Sequence, residues 1–145
     1  MPFTPFHLGP GAACKAIGGR HFSFMVFGGS QVVIDLEPLV RIIRGTAIVH
    51  GYSHTVLGAL LIGTLAGAIG RPISRIVLDV LRIPHGPFTW WSSFAAAYLG
   101  TFSHIAIDAV MHADMRPWWP LGDGNGLLAV LSADELHLYC VVLGI

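Results

Sequence analysis

The chain has 145 residues, which suits a single domain, and its composition argues against an ordinary soluble protein. Hydrophobic residues make up 54% of it and charged residues only 11%, against about 25% charged residues in a typical soluble domain. The formal net charge is zero and no run of lysine and arginine occurs, which excludes the electrostatic footprint of a nucleic-acid-binding protein. A mean hydropathy of +0.69 with 18 glycines predicts helices packed in a membrane.

The first part of the chain contains two apolar segments, one short and one longer. Residues 3–17 are apolar but are interrupted by prolines and glycines, so we expect a short or re-entrant helix. A second span is expected over residues 22–43. Because the residue before a proline avoids helical geometry, this span should unwind at Glu37, ahead of Pro38.

The middle of the chain predicts a third span and a long loop. Residues 55–70 are strongly apolar, and Gly63 and Gly67 have the spacing that lets helices approach closely in lipid. Residues 71–87 carry several arginines and prolines. We expect a loop there with a short amphipathic helix at the membrane interface.

The last part of the chain predicts two further apolar segments, a long one over residues 88–111 and a weaker one over residues 127–145. The predicted fold is therefore all-α, a polytopic membrane bundle of four or five helices. It forms one membrane-embedded domain over residues 1–145.

The ionisable residues of the apolar segments should lie at one depth in the membrane. If each span crosses, the loops at 18–21 and 71–87 share one side, and their positive charges favour that side as cytoplasmic. The other side then lies toward the outer leaflet of the inner membrane of the cell. A charge inside a span costs several kcal/mol unless it is paired, solvated or metal-bound, so alignment across four segments predicts a shared site. The candidate metal ligands are His7, Asp35, Glu37, His50, His54, His104, Asp108 and His112.

Two groups of these residues have helical spacing. His50 and His54 are four residues apart, and His104, Asp108 and His112 form one stripe over two helical turns. Imidazole and carboxylate groups at this spacing can hold one divalent cation, as the two histidines of HExxH do. The alternative is an interhelical hydrogen-bond network without metal.

The two carboxylates of the second segment differ in their expected roles. Asp35 and Glu37 are two residues apart and would point to opposite sides of a regular helix, and Asp35 is the safer ligand. Three roles are open for Glu37: a second metal ligand, a general base, or only a carboxylate near the helix end. Asp35 and Glu37 are the candidate catalytic residues.

Histidine and carboxylate ligands without a thiolate suit Zn²⁺, and also Mn²⁺ or Fe²⁺. The number of candidate ligands exceeds the three or four that one zinc ion needs, so the sequence predicts two ions. Two-metal sites stabilise the attacking and leaving oxygens in phosphoester hydrolysis.

These motifs resemble a family of bacterial and archaeal inner-membrane proteins described as membrane-bound metal-dependent hydrolases. The chain departs from the motifs of this family at two places. Glu37 replaces the second aspartate of the family's first motif, and the arginine that follows the first histidine of the family's second motif is missing. The histidine–aspartate pattern is similar, more distantly, to zinc-dependent phospholipase C, which implies phosphoester chemistry by analogy alone. The matching features are His7, Asp35-x-Glu37, His50-x-x-x-His54-Thr55, Ser103-His104-x-x-x-Asp108 and Trp119-Pro120.

The expected function is that of a metal-dependent hydrolase acting on a phosphoester or other ester of a lipid or lipid-linked substrate. Membrane lipid is the expected partner, no nucleic acid is expected, and the oligomeric state is left open. One alternative is a metal-ion or proton transporter or its subunit, which would need polar groups toward the other face, and residues 55–70 and 88–101 offer few. Another alternative is a purely structural metal site, which a saturated four-ligand shell would indicate.

Overall fold

The computed structural model describes residues 5–86 and 88–145, and within these ranges the regular structure is entirely helical. The predicted all-α class is thus confirmed, while the predicted boundaries at residues 3 and 87 lie outside the described residues. Short 3₁₀ turns occupy Pro5–Leu8, Gly19–His21 and Tyr52–His54. The α-helices are α1 (Gly9–Gly18), α2 (Phe24–Ile34), α3 (Leu36–Ile43), α4 (Val56–Val80), α5 (Trp90–Met111) and α6 (Ala133–Gly144).

The second predicted span is divided into two helices at Asp35. This residue has φ −81° and ψ −5°, and it separates the end of α2 from the start of α3. Pro38 explains the division, because it has no N–H to donate to the carbonyl of Ile34 and its ring crowds that turn. The break therefore falls two residues earlier than the sequence predicted, and Pro38 sits in the first turn of α3, where proline is tolerated.

The third predicted span is longer than expected. Thr55 caps its start, since its hydroxyl accepts the N–H of Gly58 at 2.9 Å. The helix then continues through Pro72 to Val80, so the predicted loop with a separate interfacial helix after residue 70 is wrong. The apolar residues after Pro72 keep the helical spacing of those before it, which accounts for the continuation.

Helix α5 lies at the centre of the fold and packs against α2 and α4. The approach to α4 depends on two glycines, as the sequence predicted. A Cβ atom on Gly63 would lie 2.6 Å from the ring of Tyr98, and one on Gly67 would collide with the ring of Phe94. Ser93 adds a buried hydrogen bond of 2.7 Å from its hydroxyl to the Gly67 carbonyl. The two helices are antiparallel neighbours, so the start of α4 and the end of α5 meet at one end of the molecule.

The last apolar segment forms a short helix. Ser132 and Glu135 make a reciprocal capping box that starts α6 at Ala133, several residues later than expected. Its 12 residues are too few to cross a bilayer, and the helix packs against α1. In the described part of the chain two helices, α4 and α5, are long and apolar enough to span a membrane.

Candidate metal centre

Four buried side chains from three separate parts of the chain converge where α4 begins and α5 ends. Asp35 comes from the break between α2 and α3, His54 from the turn before α4, and His104 and Asp108 from successive turns of α5. Their exposed fractions lie between 0% and 3%. One donor atom from each lies within 4.8 Å of the others, so this first donor group can hold a metal ion.

The spacing of the donor atoms fits a small divalent cation. His104 Nε2 lies 3.2 Å from Asp35 Oδ1 and 3.3 Å from Asp108 Oδ2. His54 Nε2 lies 3.3 Å from Asp108 Oδ2 and 3.6 Å from Asp35 Oδ1. Zinc with ligands at about 2.0–2.1 Å in a tetrahedron separates neighbouring ligands by about 3.3–3.4 Å.

The two imidazole nitrogens of this group make no hydrogen bond within the described residues. Nε2 of His54 and Nε2 of His104 are fully buried, and neither finds a hydrogen-bond partner although carboxylate oxygens lie close by. Buried polar atoms are nearly always hydrogen-bonded in folded proteins. A cation bound between the two imidazoles and the two carboxylates would give both nitrogen lone pairs a partner.

The opposite nitrogen of His104 is held by Gln31. The Gln31 carbonyl oxygen contacts His104 Nδ1 closely, and its amide nitrogen donates to the His7 carbonyl at 3.3 Å, which fixes the orientation of the amide. An acceptor at Nδ1 places the ring hydrogen there and leaves the Nε2 lone pair for a metal. Ser53 Oγ lies in the same way 2.9 Å from Nδ1 of His54.

A second donor group shares Asp108 with the first. It consists of His50, Asp108 and His112, with the histidine Nε2 atoms 3.9 Å and 3.8 Å from the carboxylate oxygens. The two imidazole rings stack at 4.2 Å. Because the His112 side chain is 25% exposed, this group is more open to solvent than the first.

Asp114 orients His50 and is ionised in the folded protein. Its Oδ1 accepts from His50 Nδ1 at 2.9 Å, and its Oδ2 accepts the N–H groups of Val49 and His50 at 2.9 and 3.0 Å. Burial alone would raise the pKa of this carboxyl, but these hydrogen bonds outweigh it and hold the pKa at about 2. The His50 ring thus has the carboxylate–histidine arrangement common beside metal ions.

His7 adjoins the centre without belonging to either donor group. Its Nε2 lies 3.0 Å from Asp108 Oδ1, and its ring stacks on that of His104 at 4.2 Å. The structure therefore brings seven of the eight predicted ligands together, with His7 in contact with the shared carboxylate. These seven are His7, Asp35, His50, His54, His104, Asp108 and His112.

Glu37 is the exception, because it belongs to neither donor group, and its position near the start of α3 fits the third role that the sequence left open. Its Oε1 pairs with Arg41 Nη2 at 2.7 Å, and its carboxylate accepts the N–H groups of Tyr52 and Ser53 at 3.2 and 2.6 Å. Burial alone would raise the pKa of Glu37. The hydrogen bond from the Ser53 N–H and the Arg41 guanidinium lower the pKa by more, so the net shift is downward. Glu37 holds the loop that carries His50 and His54.

Sequence reasoning missed Gln31 and Asp114. Gln31 lies four residues before Asp35, which on α2 places it one turn away on the same face, and this spacing was an available signal. Asp114 follows His112 by two residues in a loop, where no periodicity relates it to His50. Only the folding of that loop over residues 49–50 brings them together.

Comparison with models of protein families, with curated proteins and with solved structures found no match. The function must therefore be argued from the site. Fold and site together define an all-helical protein with a buried histidine–aspartate group that can hold a metal ion.

Proposed function

We propose that this protein is a membrane-embedded metal-dependent hydrolase that cleaves a phosphoester or other ester bond of a lipid or lipid-linked substrate. The observation that carries the proposal is the convergence of Asp35, His54, His104 and Asp108, with two buried imidazole nitrogens that lack hydrogen-bond partners within the described residues. The resemblance in sequence motifs supports the same conclusion.

The two donor groups suit two ions of different roles. The first group offers four buried protein donors, which is the closed shell of a structural ion. The second offers three donors and is more exposed, which leaves a coordination position for water or substrate. Zn²⁺ fits these ligands best, with Mn²⁺ and Fe²⁺ as the other metals that accept them.

The chemistry belongs to the second group. A divalent cation bound there would supply Lewis-acid activation of the scissile bond and of water. Asp114 fixes the ring of His50, and Asp108 contributes an oxygen to each group. If both ions proved to be inert, a purely structural metal site would be the function of these residues, and the four-donor shell of the first group is the observation that favours this second candidate.

The exposed apolar surface of α4 supports insertion in the inner membrane. Its most apolar window has a mean hydropathy of 1.7, yet only 22% of that window is buried in the molecule, whereas the core helix of a soluble protein is mostly buried. In the proposed multi-pass arrangement α4 and α5 cross the bilayer. The arginines Arg71, Arg75 and Arg82 lie toward the end opposite the donor groups, which favours that end as cytoplasmic and the metal centre in the outer leaflet.

A cavity beside the first donor group opens toward the apolar side of the molecule. This cavity has a volume of about 220 Å³ and reaches His104 and Asp35 from the side of α2. Its outer wall includes Leu8 and Val32, which are 36% and 49% exposed. Its lining includes neither His50 nor His112, so this lateral opening supports contact with lipid near the first group and is not the place of the reaction.

The test is metal analysis of detergent-purified protein, comparing the wild type with Asp108→Ala and with Asp79→Ala as a matched control. Asp79 is an exposed carboxylate of α4 that pairs with His85, far from the donor groups in sequence. We expect about two equivalents of zinc or manganese in the wild type and in the control, and loss of most of the metal in Asp108→Ala. If the wild-type protein contained no metal, the proposal that it is a metal-dependent hydrolase would be refuted.

A second experiment tests the hydrolytic reaction and the location of the protein in the membrane. Metal-loaded protein should release product from phospholipid substrates in mixed micelles, and this activity should be absent in Asp108→Ala. After expression in bacteria the protein should stay in the membrane pellet through alkaline carbonate extraction. Recovery in the soluble fraction would contradict the membrane assignment.

A further inference from the structure

A cavity of about 190 Å³, lined in part by charged side chains, lies beside the second donor group, apart from the lateral opening. His50 forms part of its wall, so the cavity adjoins the more exposed of the two groups. Its other polar and aromatic lining residues are Arg41, Tyr52, Thr55, Asp114, Arg116 and Trp119. Two guanidinium groups that border one small cavity next to a metal centre indicate an anion-binding role.

Arg41 is held rigidly at the wall of this cavity. Its Nε and Nη2 contact Glu37 Oε1 at 2.8 and 2.7 Å, and its Nη1 reaches the Ile48 carbonyl at 3.4 Å. Gly51 packs against the pair, since a Cβ there would collide with Glu37 Oε1 and with the Arg41 guanidinium. Arginine has five N–H donors, so hydrogens on Nη1 and Nη2 remain for a ligand.

The backbone beside Arg116 is anchored, while its side chain is largely exposed. The neighbouring Pro117 carbonyl accepts the N–H of Val56 at 2.8 Å, which ties this loop to the start of α4. The Arg116 guanidinium contacts Asp123 at 3.3 Å, with side chains 56% and 74% exposed, and such a pair contributes little to stability. An anion in the cavity can therefore recruit Arg116 at small cost.

The carboxylates around the cavity are engaged by neighbouring donors. Glu37 pairs with Arg41, and Asp114 accepts three hydrogen bonds from Val49 and His50. We propose that this cavity binds the phosphate group of the substrate, with Arg41 and Arg116 as its ligands. Guanidinium groups match phosphate oxygens in pairs, and a tetrahedral phosphate can face both arginines and the metal centre at once. The placement beside a catalytic metal rests on the proposed function.

The size and rim of the cavity favour a phosphate that is attached to a lipid. About 190 Å³ is below the roughly 300–1,000 Å³ of sites that enclose a whole drug-sized ligand, so a headgroup enters and the rest stays outside. Tyr52 and Trp119 pack together at 4.8 Å and are 62% and 39% exposed. Exposed aromatic rings of this kind lie at the headgroup level of membranes.

The test is isothermal titration of zinc-loaded, detergent-purified protein with inorganic phosphate and with dihexanoyl phosphatidic acid, a short-chain phospholipid. The variants are Arg116→Gln, Arg116→Lys and, as control, Arg82→Gln, an arginine in the loop after α4 outside this cavity. We expect about tenfold weaker phosphate binding in Arg116→Gln, an intermediate loss in Arg116→Lys, and wild-type binding in the control.

Equal phosphate affinity in wild type and Arg116→Gln would overturn the proposal, as would an equal loss in Arg82→Gln. Tighter binding of the short-chain lipid than of phosphate supports a lipid source, whereas equal affinities would overturn that part. Zinc content is measured in every sample. If zinc is bound but phosphate affinity does not depend on Arg116, the phosphate-binding proposal alone is refuted. If phosphate binding depends on Arg116 but the protein binds no zinc, the proposed function as a metal-dependent hydrolase alone is refuted.

Discussion

Asp108 is the residue through which the two donor groups are joined. Its Oδ2 lies 3.3 Å from both His54 and His104, while its Oδ1 lies 3.0 Å from His7 and 3.8 Å from His112. Helical spacing predicted its neighbours His104, on α5, and His112, directly after the end of α5. Its contacts with His7 and His54 depend on how α5 packs against other parts of the chain.

Gln31 should matter to metal affinity although it does not contact the ion site directly. Replacing it by leucine removes the acceptor that holds Nδ1 of His104, and losses of this kind lower metal affinity by about 10–100-fold. Gln31→Glu keeps an acceptor and should bind metal at least as tightly as the wild type. Competition with a fluorescent zinc chelator measures the three affinities, and equal affinity for the leucine variant would contradict a positioning role.

Glu37→Gln separates the structural role of this residue from the catalytic role that the sequence suggested. The variant loses charged hydrogen bonds to Arg41, Tyr52 and Ser53, which should lower the free energy of unfolding by about 1.5–3 kcal/mol. Metal content should be unchanged. Chemical denaturation and metal analysis of the same samples check both statements, and loss of metal without loss of stability would restore Glu37 as a ligand.

The same variant should reveal the pH dependence of this carboxylate. Because the folded protein lowers the pKa of Glu37 below its ordinary value of 4.5, the stabilisation is complete above pH 4.5. It is lost as the pH falls through the lowered value. The stability difference between wild type and Glu37→Gln should therefore be constant near neutrality and shrink below pH 4.5.

At the scale of the elements, the contact between α4 and α5 positions the centre, because these helices bring His54 and Asp108 to the same end of the molecule. Close approach requires glycine at two positions of α4. Gly63 faces Tyr98 and Gly67 faces Phe94. The spacing of the two glycines was visible in the sequence, whereas their aromatic partners on α5 were not.

Gly67→Ala should destabilise the protein, because its methyl group would overlap the ring of Phe94. Overpacking of this kind costs about 1–3 kcal/mol. Gly29→Ala is the matched control, since nothing lies within 4 Å of a Cβ at that exposed position of α2 and alanine favours helix by about 0.5–1 kcal/mol. Thermal unfolding in detergent should move in opposite directions for the two variants. A shift in the same direction for both would contradict the tight contact.

At the scale of the whole molecule, a metal ion in the first donor group would link segments that are far apart in the chain. Asp35 ends the α2 segment, His54 precedes α4, and His104 and Asp108 belong to α5. Without an ion the carboxylates and imidazoles would remain buried together with unsatisfied nitrogens. Metal binding should therefore stabilise the fold as a unit.

Removal of metal should lower the unfolding temperature of the wild type by several degrees. An ion present at about 1,000 times its dissociation constant adds about 4 kcal/mol to the folded state. The chelator EDTA should have little effect on Asp108→Asn, which lacks the shared carboxylate. Differential scanning fluorimetry with and without EDTA makes the comparison, and equal chelator effects in both proteins would exclude a metal held by Asp108.

Composition and residue spacing were enough to predict the helical class, the pair Gly63 and Gly67, and eight candidate ligands, of which seven meet in the structure. Helical spacing accounts for His104 and Asp108, one turn apart on α5, whereas His50 and His54 share that spacing but lie in a loop and a 3₁₀ turn. The extension of α4 past Pro72 and the break at Asp35 could not be read with the same accuracy, because a proline either interrupts a helix or begins one according to its surroundings.

The nitrogens of His50, His54 and His104 that face the carboxylates were set by the folded structure, since Asp114, Ser53 and Gln31 hold the opposite nitrogens. It also brought the loop backbone at Tyr52 and Ser53 to Glu37, and it brought Arg116 to the same cavity as Arg41. The physical reason is that these contacts, apart from the one between the sequence neighbours Ser53 and His54, join residues of different elements. Their distances depend on how the helices pack and how the loops close over one end of the bundle, which periodicity along the chain does not encode.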